Sequence, residues 1–366
     1  MDRSYPIMKN MISSLILLAT QLPSVVTVTP RDRTDYIEPQ IAIENDGYVY
    51  VTYGSGNTVY VSVSSDKGKT YGAPIKVSES GKLSLGMRRG PRISAIGGKV
   101  TITAIFGSTG NGSDGDIFSF RSVDHGQTWA NGSKVNDVDA SAREGLHAMA
   151  VSPDGTVACA WLDLRSKGTK LFMATSKDNG GSWSKNQLVY QSPGGSICEC
   201  CHPSLAYDDR GKLMIMFRNS LNGARDMYLT STVNDGVSFS AAMKLGDGTW
   251  NLNACPMDGG MLFAGEPGSV GTAWRREKSV FFYAQGNDLQ EISLGAGKQP
   301  WVAVGPSGDV FAIWSSPNGL MTMTLGKPAQ IIAPQGLDPV VSSSPDRKTV
   351  VAAWADGGIK SALLTK

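Results

Sequence analysis

Residues 122–129 read SVDHGQTW, and the same pattern occurs three more times in the 366-residue chain. The other copies are SSDKGKTY at 64–71, SKDNGGSW at 176–183 and TVNDGVSF at 232–239. All four copies fit S/T-x-D/N-x-G-x-S/T-aromatic, and their third residues lie 58, 54 and 56 positions apart. A repeat at a nearly constant period of this length indicates an array of similar structural units.

Each copy of the repeat has the chemistry of a β-turn. The Asp or Asn side chain can accept hydrogen bonds from backbone N–H groups of the turn. The Gly tolerates a positive φ angle, which other residues rarely adopt. We therefore predict that these residues are structural.

The first copy belongs to a unit of four short antiparallel strands, which we label A to D. Residues 40–44 form strand A, a turn follows at Asp46-Gly47, and residues 48–53, 58–64 and 74–77 form the remaining strands, with alternating apolar and polar residues. Later units begin near Pro91, His147, Pro203, Met257, Trp301 and Pro339.

The last unit, residues 339–366, has room for only three strands. Val25–Pro30 (VVTVTP) is predicted to supply the fourth strand and to close the ring. Closure would remove the exposed sheet edges on which strands aggregate. The sequence thus predicts an all-β protein that is a single β-propeller of seven blades, with six blades as the alternative.

The composition and charge are consistent with many short strands, and they do not indicate a particular binding partner. The chain has 43 Gly, 18 Pro and 18% charged residues, with a net charge of +2. This balance argues against binding to nucleic acid.

At the N-terminus, Arg3 and Lys9 precede an apolar stretch at residues 11–18, which indicates a signal peptide over residues 1–23. The stretch is too short to span a bilayer, and its alternative interpretation is a first strand of the fold. We expect a secreted or periplasmic monomer whose propeller occupies residues 24–366.

The repeats are similar to the Asp-box, or bacterial neuraminidase repeat (BNR). Together with GLHAMAVSPDGTVACAWLDLR (145–165), SICECCHPS (196–204) and NACPMDGG (253–260), they resemble the sialidase-like, exo-α-sialidase-like propellers of bacteria. The resemblance implies that the Asp-box joins strands C and D, on the face away from the binding site. The opposite face carries the connections into each strand A and the loops between strands B and C.

Residues that break the strand pattern collect in those connections and loops of units two to five. Several guanidinium groups around one funnel suit a carboxylate-bearing ligand, because Arg binds carboxylates bidentately. The predicted ligand-binding residues are Arg89, Arg92, His147, Arg165, His202, Arg218, Trp250 and Arg275. The candidate acid or base residues are Glu144, Asp163 and Asp258. Surface ion pairs are the alternative interpretation of the individual arginines.

Sialidases hold the substrate carboxylate with three arginines, and they use an Asp as acid or base and a Tyr nucleophile activated by a Glu. The resemblance places the first arginine at Arg92, in GPRIS at residues 90–94, with Arg165, Arg218 and Arg275 as candidates for the others. The Tyr–Glu pair has no evident counterpart: Tyr53 ends a strand B, and no Glu is placed to activate it.

Four of the five cysteines form a group. Cys159 lies in a strand and is expected to be a buried apolar residue, whereas Cys198, Cys200, Cys201 and Cys255 lie at two neighbouring connections. In an exported protein they are expected to form two disulfides that join blades four and five, with three possible connectivities. The alternative is a Zn or Cu(I) site with His202 and Met257 as additional ligands.

Three functional hypotheses follow from these features. The chain is a glycoside hydrolase acting on an acidic or neutral glycan, a non-catalytic propeller that binds a glycan or another anionic ligand, or a metal or redox propeller that uses the cysteine group. No cofactor is expected apart from a metal at the cysteines.

Overall fold

The computed structural model describes residues 22–110, 112–266, 268–285 and 291–365. Nearly all of the predicted signal peptide therefore lies outside the described residues. Within these ranges the chain forms β-strands and one 3₁₀ turn at Pro306–Gly308. No helix in the described part is long and apolar enough to cross a membrane.

The strands form seven antiparallel sheets, one for each blade. Blade 1 contains β2 (Ile37–Ile43), β3 (Val49–Ser55), β4 (Thr58–Ser64) and β5 (Ile75–Ser78). Blade 2 contains β6 (Lys82–Leu83), β7 (Arg92–Ile96), β8 (Lys99–Gly107), β9 (Asp116–Ser122) and β10 (Ala130–Lys134). Blade 3 contains β11 (His147–Val151), β12 (Val157–Asp163), β13 (Lys170–Ser176) and β14 (Gln187–Tyr190). Blade 4 contains β15 (Ser204–Tyr207), β16 (Leu213–Arg218), β17 (Met227–Thr232) and β18 (Met243–Lys244).

The remaining three blades follow the same order. Blade 5 contains β19 (Gly260–Ala264), β20 (Val270–Arg276), β21 (Ser279–Gln285) and β22 (Ile292–Ala296). Blade 6 contains β23 (Lys298–Val304), β24 (Val310–Ser316), β25 (Gly319–Thr324) and β26 (Gln330–Ala333). Blade 7 contains β27 (Leu337–Ser343), β28 (Val350–Ala355), β29 (Ile359–Leu363) and the N-terminal strand β1 (Val25–Thr27).

The two ends of the chain close the ring as predicted. Strand β1 pairs antiparallel with β29, with Val26 opposite Ser361. Two hydrogen bonds continue this pairing, from Val28 N to Ile359 O (2.9 Å) and from Ile359 N to the Thr29 hydroxyl (2.9 Å). The prediction of a seven-bladed propeller is thereby confirmed.

The Asp-boxes connect strands C and D of the first four blades. In the first of them Asp66 accepts hydrogen bonds from the backbone N–H (2.9 Å) and the hydroxyl (2.6 Å) of Thr70, and the Ser64 hydroxyl accepts one from Gly68 N (2.9 Å). Gly68 has a φ of +79°, as the turn chemistry requires. The residue before it, Lys67, also has a positive φ (64°), which the sequence pattern did not indicate.

The Asp-boxes share a face with the turns between strands A and B. Lys67 N donates to Gly47 O (3.0 Å) in blade 1, and His125 N donates to Gly98 O (3.0 Å) in blade 2. The connections into strands A therefore lie on the opposite face, as predicted, and we call this the entry face.

Apolar residues between adjacent blades form the core. Strand B of blades 3, 5, 6 and 7 each contributes one buried tryptophan, namely Trp161, Trp274, Trp314 and Trp354. A central channel of about 340 Å³ is lined by the seven A strands. One end of the channel is lined by Gln40 and Trp301, near the starts of their A strands. The other end is lined by Asp209 and Arg347, which lie in turns between strands A and B, so the cavity extends toward the Asp-box face.

Candidate functional site

Three of the A strands, β2, β23 and β27, each have a polar residue near their first position, on the entry-face side of the ring. Glu38, Gln299 and Asp338 each precede a proline and have positive φ angles of 56°, 55° and 51°. At each of these positions the pairing of strands A and B shifts register. A bulge of this kind re-aims a side chain, which explains why these polar groups meet at the channel and not within the sheets.

We call Glu38, Arg88, Asp258 and Asp338 the central polar cluster. Arg88 extends from the loop between β6 and β7 of blade 2 across the ring to blades 6 and 7, where its Nη2 donates to the carbonyls of Gln299 (3.1 Å) and Pro339 (3.0 Å). Its Nε lies 4.0 Å from Asp338 Oδ1. Its guanidinium also lies 5.0 Å from the centre of the Trp301 ring, a cation–π contact. The cluster therefore covers the entry-face end of the channel.

The carboxyl groups of Glu38 and Asp258 are buried in this cluster. Asp258 Oδ2 accepts a hydrogen bond from Gln299 N (2.8 Å), whereas its Oδ1 has no partner. Both Glu38 oxygens and the Nε and Nη1 atoms of Arg88 are also buried without a well-formed hydrogen bond among the described residues, although Arg88 Nε faces Asp338 at 4.0 Å and the Gly86 backbone lowers the pKa of Glu38 slightly. Buried polar atoms are normally hydrogen-bonded, so five such atoms in one place mark a site that a polar ligand can satisfy.

Burial also changes the protonation of the cluster. It raises the pKa of Glu38 to about 7, and the negative charge of Asp338 adds to this rise. Burial likewise raises the pKa of Asp258 and lowers that of Arg88. Raised carboxyl pKa values are typical of groups that donate a proton in catalysis.

Glu38 predicts a pH dependence of stability that can be measured directly. Its carboxyl has a pKa of about 7 in the folded protein against an ordinary value of 4.5, so the folded state retains a proton that the unfolded state has lost. The free energy of unfolding should therefore fall by about 3 kcal/mol as the pH rises through this interval. Replacing Glu38 with Gln should remove this loss.

Urea unfolding of wild type and Glu38→Gln at pH 5 and pH 8 tests this expectation. Glu44→Gln is the matched control, because Glu44 is also buried and directly follows the far end of the same strand, β2. If the free energy of unfolding fell equally between pH 5 and pH 8 in the wild type and in Glu38→Gln, the raised pKa would not belong to Glu38.

Arg92, His147 and His202, all predicted ligand contacts, are buried next to the cluster. The guanidinium of Arg92 donates to four carbonyls of its own loop, from Arg88 to Pro91. His147 Nε2 lies 3.0 Å from the Thr103 hydroxyl. Burial lowers the pKa of His202 to about 3 and that of His147 well below its ordinary value, so both rings are neutral. These contacts are all with other protein groups, and His147 Nδ1 is buried without a hydrogen bond among the described residues.

Arg218 and Arg275 pack on the same tryptophan, as a shared site would require. Their guanidiniums lie 5.3 and 5.4 Å from the Trp250 ring centre. Arg218 is 1% exposed, and it donates to the carbonyls of Asp258 (3.1 Å), Arg225 (2.5 Å) and Arg275 (2.9 Å). Arg218 therefore positions Asp258, whereas Arg275 is half-buried and closer to solvent.

Asp163 and Arg165 form an ion pair with each other. Arg165 donates from Nε to Asp163 Oδ1 (2.8 Å) and from Nη2 to Oδ2 (2.9 Å). Trp161 Nε1 donates to the same carboxylate, and Arg165 also pairs with Asp137. The partners of this bidentate pair, Trp161 and Asp137, are not members of the central polar cluster. The structure therefore does not bring Asp163 and Arg165 together with the other predicted site residues.

Arg89 and Glu144 meet on the entry face at the boundary of blades 2 and 3. Arg89 Nε donates to the carbonyl of Glu144 (2.7 Å). Partial burial raises the pKa of the Glu144 carboxyl, Arg89 opposes the rise, and Glu199 adds to it. Glu144 is thus a second carboxyl with a perturbed pKa on the predicted face, and it is more exposed than Asp258.

The cysteine group forms one disulfide in place of the two expected. Cys200 and Cys255 are bonded and link blades 4 and 5, as the sequence predicted. Cys198 and Cys201 remain thiols, although their sulfurs lie only 3.4 Å apart. Cys159 is buried, as expected.

A Tyr–Glu pair does exist, contrary to the expectation from sequence, but it lies on the Asp-box face. Tyr50 Oη donates to Glu44 Oε2 (2.6 Å) and lies 3.0 Å from His125 Nδ1. Burial and the Glu44 carboxylate raise the pKa of Tyr50, which opposes formation of a nucleophilic phenolate. The pair therefore joins blades 1 and 2 and is remote from the entry face.

Sequence reasoning missed Glu38 and the importance of Arg88. Glu38 lies in unit one, outside units two to five, whose loops carry the predicted site residues. The signal that identifies it is the repeated dipeptide of a polar residue and proline at the start of strand A, as in Glu38-Pro39, Gln299-Pro300 and Asp338-Pro339.

Comparisons with known proteins agree with this architecture. The family model described as a BNR repeat-like domain matches residues 92–260. No curated protein sequence matches the chain. Among solved structures, a Penicillium chrysogenum α-L-arabinanase complexed with arabinobiose has a TM-score of 0.58 at 12% identity, covering 94% of this chain and 98% of its own.

Two further solved structures have other activities. A virginiamycin B lyase from Staphylococcus aureus, crystallised with quinupristin, has a TM-score of 0.57 at 10% identity and covers 93% of this chain and 99% of its own. A Hadza microbial sialidase has a TM-score of 0.52 at 15% identity, covering 91% of this chain and 66% of its own. At such identities the likeness establishes the fold alone. Residues 92–260 thus match a BNR repeat-like domain, and the described chain shares the β-propeller fold of these solved structures.

Proposed function

We propose that the protein binds a glycan or another carboxylate-bearing ligand at its entry face and hydrolyses a glycosidic bond there. The observation that carries this proposal is the central polar cluster, in which five buried polar atoms of Glu38, Arg88 and Asp258 have no well-formed hydrogen bond within the described residues. Glycoside hydrolysis commonly uses two carboxyl groups, one of which has a raised pKa and protonates the leaving group.

Asp258 and Glu38 take the acid and base roles in this proposal, and Glu144 is the alternative acid. Arg88, Arg89 and Arg275 would neutralise an anionic ligand, since guanidinium groups suit carboxylates. Arg88 is 2% exposed, so the loop from Gly86 to Gly90 that carries it must move aside to admit a ligand. The propellers of similar structure include an arabinanase and a sialidase, which supports a sugar substrate.

Export also remains part of the proposal. The Cys200–Cys255 disulfide supports an oxidising compartment, where such bonds persist. The expected signal peptide is tested by the N-terminal mass of the protein recovered from outside the cytoplasm.

The catalytic assignment predicts a large loss of turnover on two substitutions. A panel of aryl glycosides and polysaccharides that includes sialosides and arabinofuranosides identifies the substrate. On it, Asp258→Asn and Glu38→Gln should each lower kcat roughly 100-fold or more, because they remove an acid–base group. Glu44→Gln, the matched buried glutamate on the Asp-box face, should retain wild-type turnover, and Glu144→Gln tests the alternative acid.

Binding measurements separate the hydrolase from a non-catalytic propeller. Ligand binding by Asp258→Asn close to the wild-type affinity, with turnover lost, supports the catalytic roles. Absence of turnover by the wild type across the panel, together with glycan binding that weakens in Arg275→Met, would indicate a binding module. Absence of both would refute the proposal.

A further inference from the structure

Four sulfur atoms lie together at the junction of blades 4 and 5. The Cys198 sulfur is 3.4 Å from that of Cys201 and 3.8 Å from that of Cys200, and Cys200 and Cys201 are 3.9 Å apart. Cys200 is itself bonded to Cys255. Two thiols are thus in contact with one sulfur of a disulfide.

The four sulfurs differ in their access to solvent. Cys198 and Cys201 are each 1% exposed, whereas Cys255 is exposed on the entry face. The arrangement therefore has a buried dithiol at one end and an exposed disulfide-bonded residue, Cys255, at the other.

The surroundings favour a thiolate at Cys198. The neighbouring Cys201 thiol lowers the pKa of Cys198 to about 7, and the positive charges of Arg218 and Arg225 act in the same direction. Burial raises the pKa of Cys201, which therefore stays protonated, with its sulfur 3.4 Å from that of Cys198. Thiolates are the attacking species in thiol–disulfide exchange.

We propose that this group is a thiol–disulfide exchange site in which the buried dithiol of Cys198 and Cys201 passes its reducing equivalents to the exposed Cys255. The Cys198 thiolate attacks the Cys200 sulfur, so that a Cys198–Cys200 bond forms and the Cys200–Cys255 bond breaks. Cys255 leaves as a thiolate and takes up the proton that Cys198 lost.

A second exchange completes the transfer. Cys201, once deprotonated, attacks Cys198, forms a Cys198–Cys201 disulfide and releases Cys200 as a thiolate. The protein has then exchanged one disulfide for another without net oxidation, and its free dithiol is Cys200 and Cys255. That dithiol can reduce a disulfide-bearing substrate to two thiols, which restores the Cys200–Cys255 bond and leaves the protein with two disulfides.

Alkylation of the native protein tests the internal transfer. The folded wild type is incubated with iodoacetamide at pH 8 without any reductant, and labelled cysteines are located by peptide mass spectrometry. Cys255 should become labelled with time, although it begins in a disulfide, and a Cys198–Cys201 disulfide should appear in parallel.

The double variant Cys198→Ser/Cys201→Ser lacks the internal nucleophile, so labelling of Cys255 should fall by at least roughly tenfold. Cys159→Ser is the matched control, because it removes the other buried thiol while leaving this group intact. Thermal melting verifies that each variant is folded.

Three results would overturn the proposal. One is a wild-type Cys255 that stays unlabelled while the protein is native. Another is a rate of Cys255 labelling that is the same in the double variant and in Cys159→Ser. Elemental analysis of the wild type adds a third, since a stoichiometric soft metal with unreactive Cys198 and Cys201 would assign these thiols as metal ligands.

Discussion

Replacing Arg218 with Met is expected to lower the free energy of unfolding by about 4 kcal/mol. The guanidinium is almost fully buried, and it donates to three carbonyls, those of Arg225, Asp258 and Arg275. Met fills much of the same volume but has no donor, so these acceptors lose their partners. Its contact with the Trp250 ring also loses the cation–π component.

Urea unfolding compares this variant with Arg143→Met, in which an exposed arginine of the same face is replaced. The control should lie within about 0.5 kcal/mol of the wild type, as surface substitutions usually do. Because Arg218 holds the Asp258 backbone, Arg218→Met should also reduce turnover on any substrate identified. A loss of stability similar to that of Arg143→Met would show that these hydrogen bonds contribute little.

Removal of the N-terminal strand is expected to abolish the closed fold. A chain that begins at Asp35 lacks β1 and the hydrogen bonds that Val28 and Thr29 make with Ile359. The edge of β29 is then exposed, and unpaired strand edges promote aggregation. Val28 also belongs to the apolar core between blades, so its loss removes packing as well as pairing.

Size-exclusion chromatography and thermal melting measure this effect. We expect the shortened chain to aggregate, or to melt at least 10 °C below a chain that begins at Leu22 and retains β1, because both hydrogen bonds and core contacts are lost. Equal melting temperatures and elution volumes for the two chains would mean that closure by β1 does not stabilise the ring.

The role of a residue could be predicted from local sequence on the Asp-box face but not on the entry face. The Asp-box residues are close in sequence and satisfy one another, as in the bonds between Asp66 and Thr70. Their structural role could therefore be predicted. Arg92 and Arg165 have the same residue type as a ligand-binding arginine, but one binds its own loop and the other binds Asp163. Sequence cannot distinguish these cases, because a guanidinium takes whichever acceptors the fold brings within reach.

The sequence by itself determined the propeller, the position of the Asp-box turns and the closing strand, and it favoured seven blades over six. These depend on turn chemistry and on alternation within a few residues, both of which a single chain displays directly. Only the tertiary structure decided that Arg88 meets Gln299 and Pro339, more than 200 positions away, and that Glu38 lies beside it. Ring closure brings these residues together, and the resulting burial sets the protonation of the Glu38 carboxyl.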